Sequence, residues 1–375
     1  PTTIDVFYTN SEGYLITPEV LPYGEYSLVE VQAPYGYALD KTPVAFSVSS
    51  ENAEKENSLT IVKVEKQNTA QKGKISVRKT GDIFTSVATA SSAYTNENGE
   101  MIVNPTTYTP VFADGDLSGA VFQVIAVEDI VTPDGTTRAY AGDVVSEITT
   151  DENGYAETEP LYLGKYEVRE IKAPEGYVQN NEPKDVELTY AGQEIAVLDT
   201  VNASFVNDYQ SVEISLSKVM ENDELFGIGN NNEYLSVRFG LFAAEDIQAA
   251  DGTVIPADGL ISEISLDENM TAVIAEKIPF GKYYVQEIAT DEHYVLNGEK
   301  YLVTFEYMGQ EVTTVSIDCG QFVNELRRGK VEGIKVNESD EPLENALFGL
   351  FAVDTAEFTS ENAYMTAVSD ENGIF

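Results

Sequence analysis

One strand motif, repeated three times, constrains what this chain can fold into more than any other feature. It reads LPYGEYSLVEVQAPYGY at 21–37, LYLGKYEVREIKAPEGY at 161–177 and IPFGKYYVQEIATDEHY at 278–294. In each copy a turn closing on glycine (Gly24, Gly164, Gly281) leads into an alternating run. Side chains two apart in a strand share a face. Tyr26, Leu28 and Glu30 therefore point one way, as do Tyr166, Val168 and Glu170, and Tyr283, Val285 and Glu287. The opposite faces, with Ser27, Glu167, Arg169 and Gln286, are polar. Each strand aims one carboxylate at its apolar side, where an unpartnered acid is costly and tends to take up a proton. The chain must supply partners.

The junctions between copies hold the candidates. Asn68, Asn207 and Asn324 are each followed eleven residues later by a lysine, Lys79, Lys218 and Lys335. The glutamates lie 140 and 117 residues apart and the lysines 139 and 117, a period too long for a solenoid and suited to tandem domains. The expected units are a partial one at 1–72, complete ones at 73–211 and 212–328, and a partial one at 329–375. The chain begins in mid-repeat and stops at SDENGIF, before the next Gly-Tyr-Glu strand is due, as an excerpt of a longer protein would. The second unit is longer because residues 82–113 insert a Thr-rich excursion, expected as a hairpin or loop.

Within a unit the segments are short, β-branched or aromatic, and punctuated by Gly, Asn and Asp. The expected fold is all-β, a tandem array of Ig-like two-sheet sandwiches. DENG at 151–154, NENG at 96–99 and DENG at 370–373 read as hairpin turns. The runs 117–130, 237–247 and 346–358 read as an apolar strand with a short helical turn after it.

Alternation also aims the junction residues. Ile75, Val77 and Lys79 share a face, as do Ile214, Leu216 and Lys218; Phe205 shares one with Asn207, and Phe322 with Asn324. Lys, Glu and Asn thus converge in a dry core. A desolvated lysine gives up its proton more readily and becomes a nucleophile. A protonated glutamate beside it would donate a hydrogen bond to the Asn carbonyl oxygen and stabilise charge developing there. Attack of the amine on the amide carbon would expel ammonia and leave a Lys–Asn isopeptide bond. An isolated strand Lys or Asn is commonly a solvated edge residue, and a buried Lys–Glu pair can be an ordinary ion pair. Three concordant spacings on inward faces favour bond formation in the two complete units.

Composition excludes other chemistries. With 64 acidic and 22 basic residues the net charge is −42, which repels nucleic acid and anionic membranes. One Cys and one His leave no disulfide framework and no Cys/His zinc site, and no cofactor is expected. His293 and Cys319 read as a loop residue and a core residue, not a nucleophilic pair. The DENG segments lack the full calcium-loop pattern. No 18-residue apolar run is present, so no membrane insertion is expected within this segment.

The Gly-x-Tyr-x-x-x-Glu strands, the Ala-Pro-x-Gly-Tyr turns at 33–37 and 173–177 and the Asn-to-Lys junctions resemble the collagen-adhesin B-type, or SpaA-type prealbumin-like, domains of Gram-positive surface adhesins and pilins. The resemblance covers essentially the whole chain. It implies an extracellular, cell-wall or cell-surface stalk, elongated as a rod and without turnover catalysis. Host matrix or glycans would be met through regions outside this segment. By position it implies spontaneous isopeptide bonds from Lys79 to Asn207 with Glu170, and from Lys218 to Asn324 with Glu287. Glu30 and Asn68 would await a lysine preceding Pro1, and Lys335 a Glu and Asn beyond Phe375. In the first unit Lys66 replaces Phe205 and Phe322. In the third, Asp291 and His293 replace the Pro and Gly of the turn, with His293 expected to tolerate a left-handed backbone. The competing classes are a binding module centred on 82–113 and the accessory domains of a secreted hydrolase.

Overall fold

The computed structural model describes residues 5–49, 54–56, 59–95, 99 and 101–375. The NENG turn expected at 96–99 therefore falls largely outside the described residues. The described residues form strands and turns, with one 3-10 segment at Glu233–Ser236.

Two sandwiches account for the middle of the chain. In the first, Ile75–Ala90 pairs antiparallel with Tyr155–Glu157 and parallel with Val201–Asn207. The facing sheet runs Val144–Thr149, Val121–Ala126, Gly164–Lys172, Lys184–Leu188, all antiparallel. In the second, Ser211–Met220 lies between Thr271–Ile274 (antiparallel) and Thr314–Asn324 (parallel). Its facing sheet runs Leu260–Ser265, Arg238–Ala243, Gly281–Ala289, Tyr301–Phe305. Alternation drives this layering. Ile75, Val77 and Phe205 from one sheet meet Phe122, Val124, Tyr166 and Val168 from the other in a single core. Ile214, Leu216 and Phe322 meet Phe239, Leu241, Tyr283 and Val285 in the next. Full burial of each such side chain contributes roughly 1.5–3 kcal/mol. The described residues of the flanking segments form short antiparallel pairs, Gly24–Leu28 with Val44–Val48, Glu54–Glu56 with Leu59–Ile61, and Leu347–Leu350 with Met365–Val368.

The turns follow one recipe. Asp151 Oδ1 accepts from the backbone N–H of Asn153 and Tyr155, and Asp370 Oδ1 from Asn372 and Ile374. The DENG turn at 151–154 links strands of opposite sheets, not the two arms of a hairpin. The helical turns expected after the apolar strands are absent from the structure. Asp129 Oδ1 and Asp246 Oδ1 accept from the backbone N–H of Ala141 and Ala257. Small hairpins, Ile130–Val131 with Thr137–Ala139 and Ile247–Gln248 with Val254–Ile255, form instead, and these two carboxylates tie the residues after them back to the strand end.

The described part of the 82–113 insertion is a two-stranded ribbon. Ile75–Ala90 runs on past the sandwich and pairs with Thr107–Asp116, from Thr80 opposite Asp116 to Ala90 opposite Thr107. Its base leans on the third unit. Phe84, Val87 and Tyr108 pack against that unit's core, and the backbone N–H groups of Ala250 and Asp251 donate to the carbonyls of Phe84 and Thr85.

Candidate functional site

Parallel pairing of a unit's first and last strands brings Lys and Asn together. Lys79 lies opposite Phe205 and Asn207 opposite Gly81, so the two side chains are diagonal neighbours on one face. Lys218 opposite Phe322 and Asn324 opposite Met220 repeat the offset. Such diagonals are within reach of long side chains. Glutamate comes from the facing sheet, where Glu170 pairs with Phe122 and Glu287 with Phe239.

All six side chains are out of solvent, none more than 2% exposed. In the second unit Lys79 Nζ donates to Asn207 Oδ1 and lies 3.1 Å from Glu170 Oε1, which also accepts from Asn207 Nδ2 at 3.0 Å. In the third, Lys218 Nζ donates to Asn324 Oδ1 at 2.6 Å, lies 3.1 Å from Glu287 Oε1, and that oxygen accepts from Asn324 Nδ2 at 2.8 Å. Rings wall the amines in: Lys79 Nζ sits 5.8 Å from the centre of Phe122 and 5.7 Å from that of Phe205, and Lys218 Nζ 5.8 Å from Phe239. Burial pushes both lysines below the ordinary lysine range, while Glu170 and Glu287 pull the other way.

This arrangement differs from the sequence expectation in one atom. The glutamate oxygen faces the amine and the amide nitrogen, not the amide oxygen. One oxygen thus touches both the lysine amine and the asparagine amide nitrogen.

The other site residues divide by unit. Glu30 accepts from Asn68 Nδ2 through both oxygens at 2.8 Å, in half-buried surroundings. Lys66 turns away from them to Asp40 and the Thr42 carbonyl. Lys335 occupies the backbone seat of Lys79. Its N–H donates to Gly373 and its carbonyl accepts from Leu343, as those of Lys79 do with Gly154 and Leu117.

Three supports escaped the sequence reading. The second glutamate oxygen accepts a backbone N–H ten residues on, from Asp40, Asn180 and Asn297. The motif tyrosines Tyr26, Tyr166 and Tyr283 each donate to the carbonyl four residues earlier. The third-unit turn Asp267–Met270 matches the DENG turns, with Met270 at φ 56° where Gly154 has φ 65°. Constant spacings from the Glu and the Gly-x-Tyr were the available signal for the first two. His293 is not left-handed, unlike Gly36 and Gly176, because Asp291 Oδ1 takes the His293 N–H and builds an Asx turn. Cys319 is in the core, where burial pushes its thiol to about 11, and His293 is on an exposed turn.

Comparison with known proteins bears on the fold of these units. Residues 2–63 and 112–202 match the family model of the SpaA prealbumin-like fold domain. The matched residues, less than half of the chain, are similar to SpaA-type prealbumin-like domains. The match skips residues 64–111, which hold the start of the second unit and most of the ribbon. Over 134 residues the chain is 27% identical to the trypsin-resistant surface T6 protein of Streptococcus pyogenes serotype M6, covering 35% of this chain and 24% of that one. Among solved structures it is similar to the Bacillus anthracis TIE protein (18% identity, 96% of this chain and 68% of that one, TM-score 0.46). It is also similar to the major pilin SpaD of Corynebacterium diphtheriae (15% identity, 81% and 80%, TM-score 0.24). No helix among the described residues is long and apolar enough to cross a membrane.

Proposed function

We propose that these SpaA-type units form a stalk of a Gram-positive cell-surface adhesin or pilus-like protein, locked by one Lys–Asn isopeptide bond in each complete unit. The carrying observation is the duplicated dry triad, in which one Glu oxygen touches both the Lys amine and the Asn amide nitrogen. From the neutral amine, Nζ attacks Cγ of the asparagine and one Nζ proton passes to the glutamate. The carboxylic proton goes to Nδ2, the Cγ–Nδ2 bond breaks and ammonia leaves. The Lys–Asn bond keeps one N–H, and the glutamate ends as it began. The chemistry occurs once per molecule, so the chain is not a turnover enzyme. A stalk of this kind acts outside the cell, attached to the wall.

Intact mass tests this directly. The whole chain should be lighter than its sequence by two ammonias, about 17 Da each, with Lys79–Asn207 and Lys218–Asn324 recovered as cross-linked peptides. Glu170→Gln and Glu287→Gln should each restore one. An unshifted parent mass would leave the triads as ion pairs. A ligand site on residues 82–113 is the weaker reading, because the base of the ribbon spends its apolar side chains on the third unit.

A further inference from the structure

We propose that the turn closing each glutamate strand is a docking surface whose partner is the Gly-Gln-Glu loop of the next unit, and that two glutamines per junction fix the angle between units. The loops are Gly192–Gln193–Glu194 and Gly309–Gln310–Glu311, each lying between a unit's last two strands.

Six hydrogen bonds recur at both junctions. From the loop side, Gln193 Oε1 accepts from Ala33 N–H at 2.8 Å, and Gln310 Oε1 from Ala173 N–H at 2.9 Å. The same residues' carbonyls accept from Leu39 and Gln179. From the linker side, Gln71 Nε2 donates to the carbonyls of Gly192 and Ile195, while its Oε1 accepts from Ala191 N–H. Gln210 does the same with Gly309, Val312 and Met308. The linker backbone completes the set, with Gln71 N–H on the Gly36 carbonyl and Gln210 N–H on that of Gly176. Gln71 and Gln210 are 1% and 0% exposed. A buried amide with all its partners made is expensive to disconnect, since each orphaned group costs its full desolvation. Both glutamines sit three residues after the bond-forming Asn or its counterpart, so the clasp is built where one unit hands over to the next.

The third junction shows what the clasp requires. Arg327 stands in the place of Gln71 and Gln210. Its backbone N–H keeps the equivalent bond to the His293 carbonyl, but its side chain donates to Tyr294 in its own unit. A guanidinium has no acceptor for a loop N–H. Thr290 and Asp291 replace the Ala-Pro of the turn, and Thr290 Oγ1 is used by Asn324. The second junction carries the ribbon in addition, with Lys277 paired to Asp82 and Tyr209 set between Phe112 and Phe280. Among the described residues the first junction has no ribbon; it adds the Lys41–Glu194 ion pair and the Tyr35–Tyr190 ring contact, which substitutions at Gln71 and Gln193 leave in place.

The clasp stands whether or not the isopeptide bonds form, and its test is read in distances, not mass. In the full chain with Cys319→Ala, spin labels on cysteines introduced at the exposed positions Glu25, Lys165 and Lys282 report inter-unit distances by pulsed dipolar spectroscopy. The parent should give narrow distributions for both adjacent pairs. Gln71→Glu removes two donors and sets carboxylate oxygens against two carbonyls, and should widen the Glu25–Lys165 distribution at least twofold. Gln193→Glu keeps its acceptor and should leave that width unchanged. Gln71→Leu, which carries no charge to disturb folding, should match Gln71→Glu, and the Lys165–Lys282 width should stay constant in all three. A broad parent distribution, or Gln71→Glu and Gln71→Leu as narrow as the parent, would overturn the proposal. So would equal widening by Gln71→Glu and Gln193→Glu.

Discussion

Glu287→Gln isolates what the staple contributes to stability. The substitution keeps the size and planar shape of the side chain and removes the carboxylate proposed to relay a proton between Lys218 and Asn324. The bond to be lost spans 106 positions of sequence, and chain entropy values a cross-link over such a loop at about 4.7 kcal/mol. A domain near this size moves about 3–6 °C in Tm per kcal/mol, so the third unit should melt roughly 15–25 °C lower. Packing terms confuse any single variant, because the remaining partners of the triad lose a contact. A cycle with Lys218→Met separates them. A bond can be lost only once, so the double variant should fall little below either single variant. Calorimetry of the full chain, with an intact mass on every sample, reads both transitions and uses the second unit as an internal reference. The reasoning is refuted if an unlinked Glu287→Gln sample melts within a few degrees of the linked parent, or if the two single losses simply add.

Other consequences are quicker to check. Under tension Lys79→Ala should release the second unit's chain between positions 79 and 207, 128 residues or about 46 nm of contour; a force trace with that step in the parent contradicts the staple. Gly154→Ala should lower the second unit's stability by at least about 2 kcal/mol, since its Cβ would meet the Lys79 carbonyl at 2.3 Å with φ at +65°; an unchanged melt means the turn relaxes freely. Cys319, its thiol raised to about 11 by burial, should ignore a disulfide reagent at pH 8 until the third unit unfolds, and prompt native reaction would show the core open there.

Much of the site was readable because period-two alternation assigns faces. Ile75, Val77 and Lys79 are inward for the same reason that Tyr166, Val168 and Glu170 are, and both runs are buried. Alternation says nothing about which atom of a side chain meets which, so the glutamate's place beside the amide nitrogen, and its second oxygen on a distant N–H, needed coordinates. Non-local packing was equally silent. Residues 82–113 announce a hairpin, yet nothing in their order says that Phe84 and Tyr108 settle on the following unit. The Asp267–Met270 turn was hidden because methionine occupies a left-handed position that pattern reading reserves for glycine. His293 misled in the opposite sense, since an Asx turn removed the need for positive φ.

Parallel pairing of first and last strands has a consequence for size. An antiparallel pair would return the chain to the end where it came in, and successive units would crowd around one point. Here each chain segment comes in at one pole of its sandwich and goes out at the opposite pole. Each complete unit is therefore a step forward, and reach grows with the number of such units. Duplicating or deleting one would lengthen or shorten the protein by one step, with repacking where Phe84, Val87 and Tyr108 of the ribbon rest on the third unit's core.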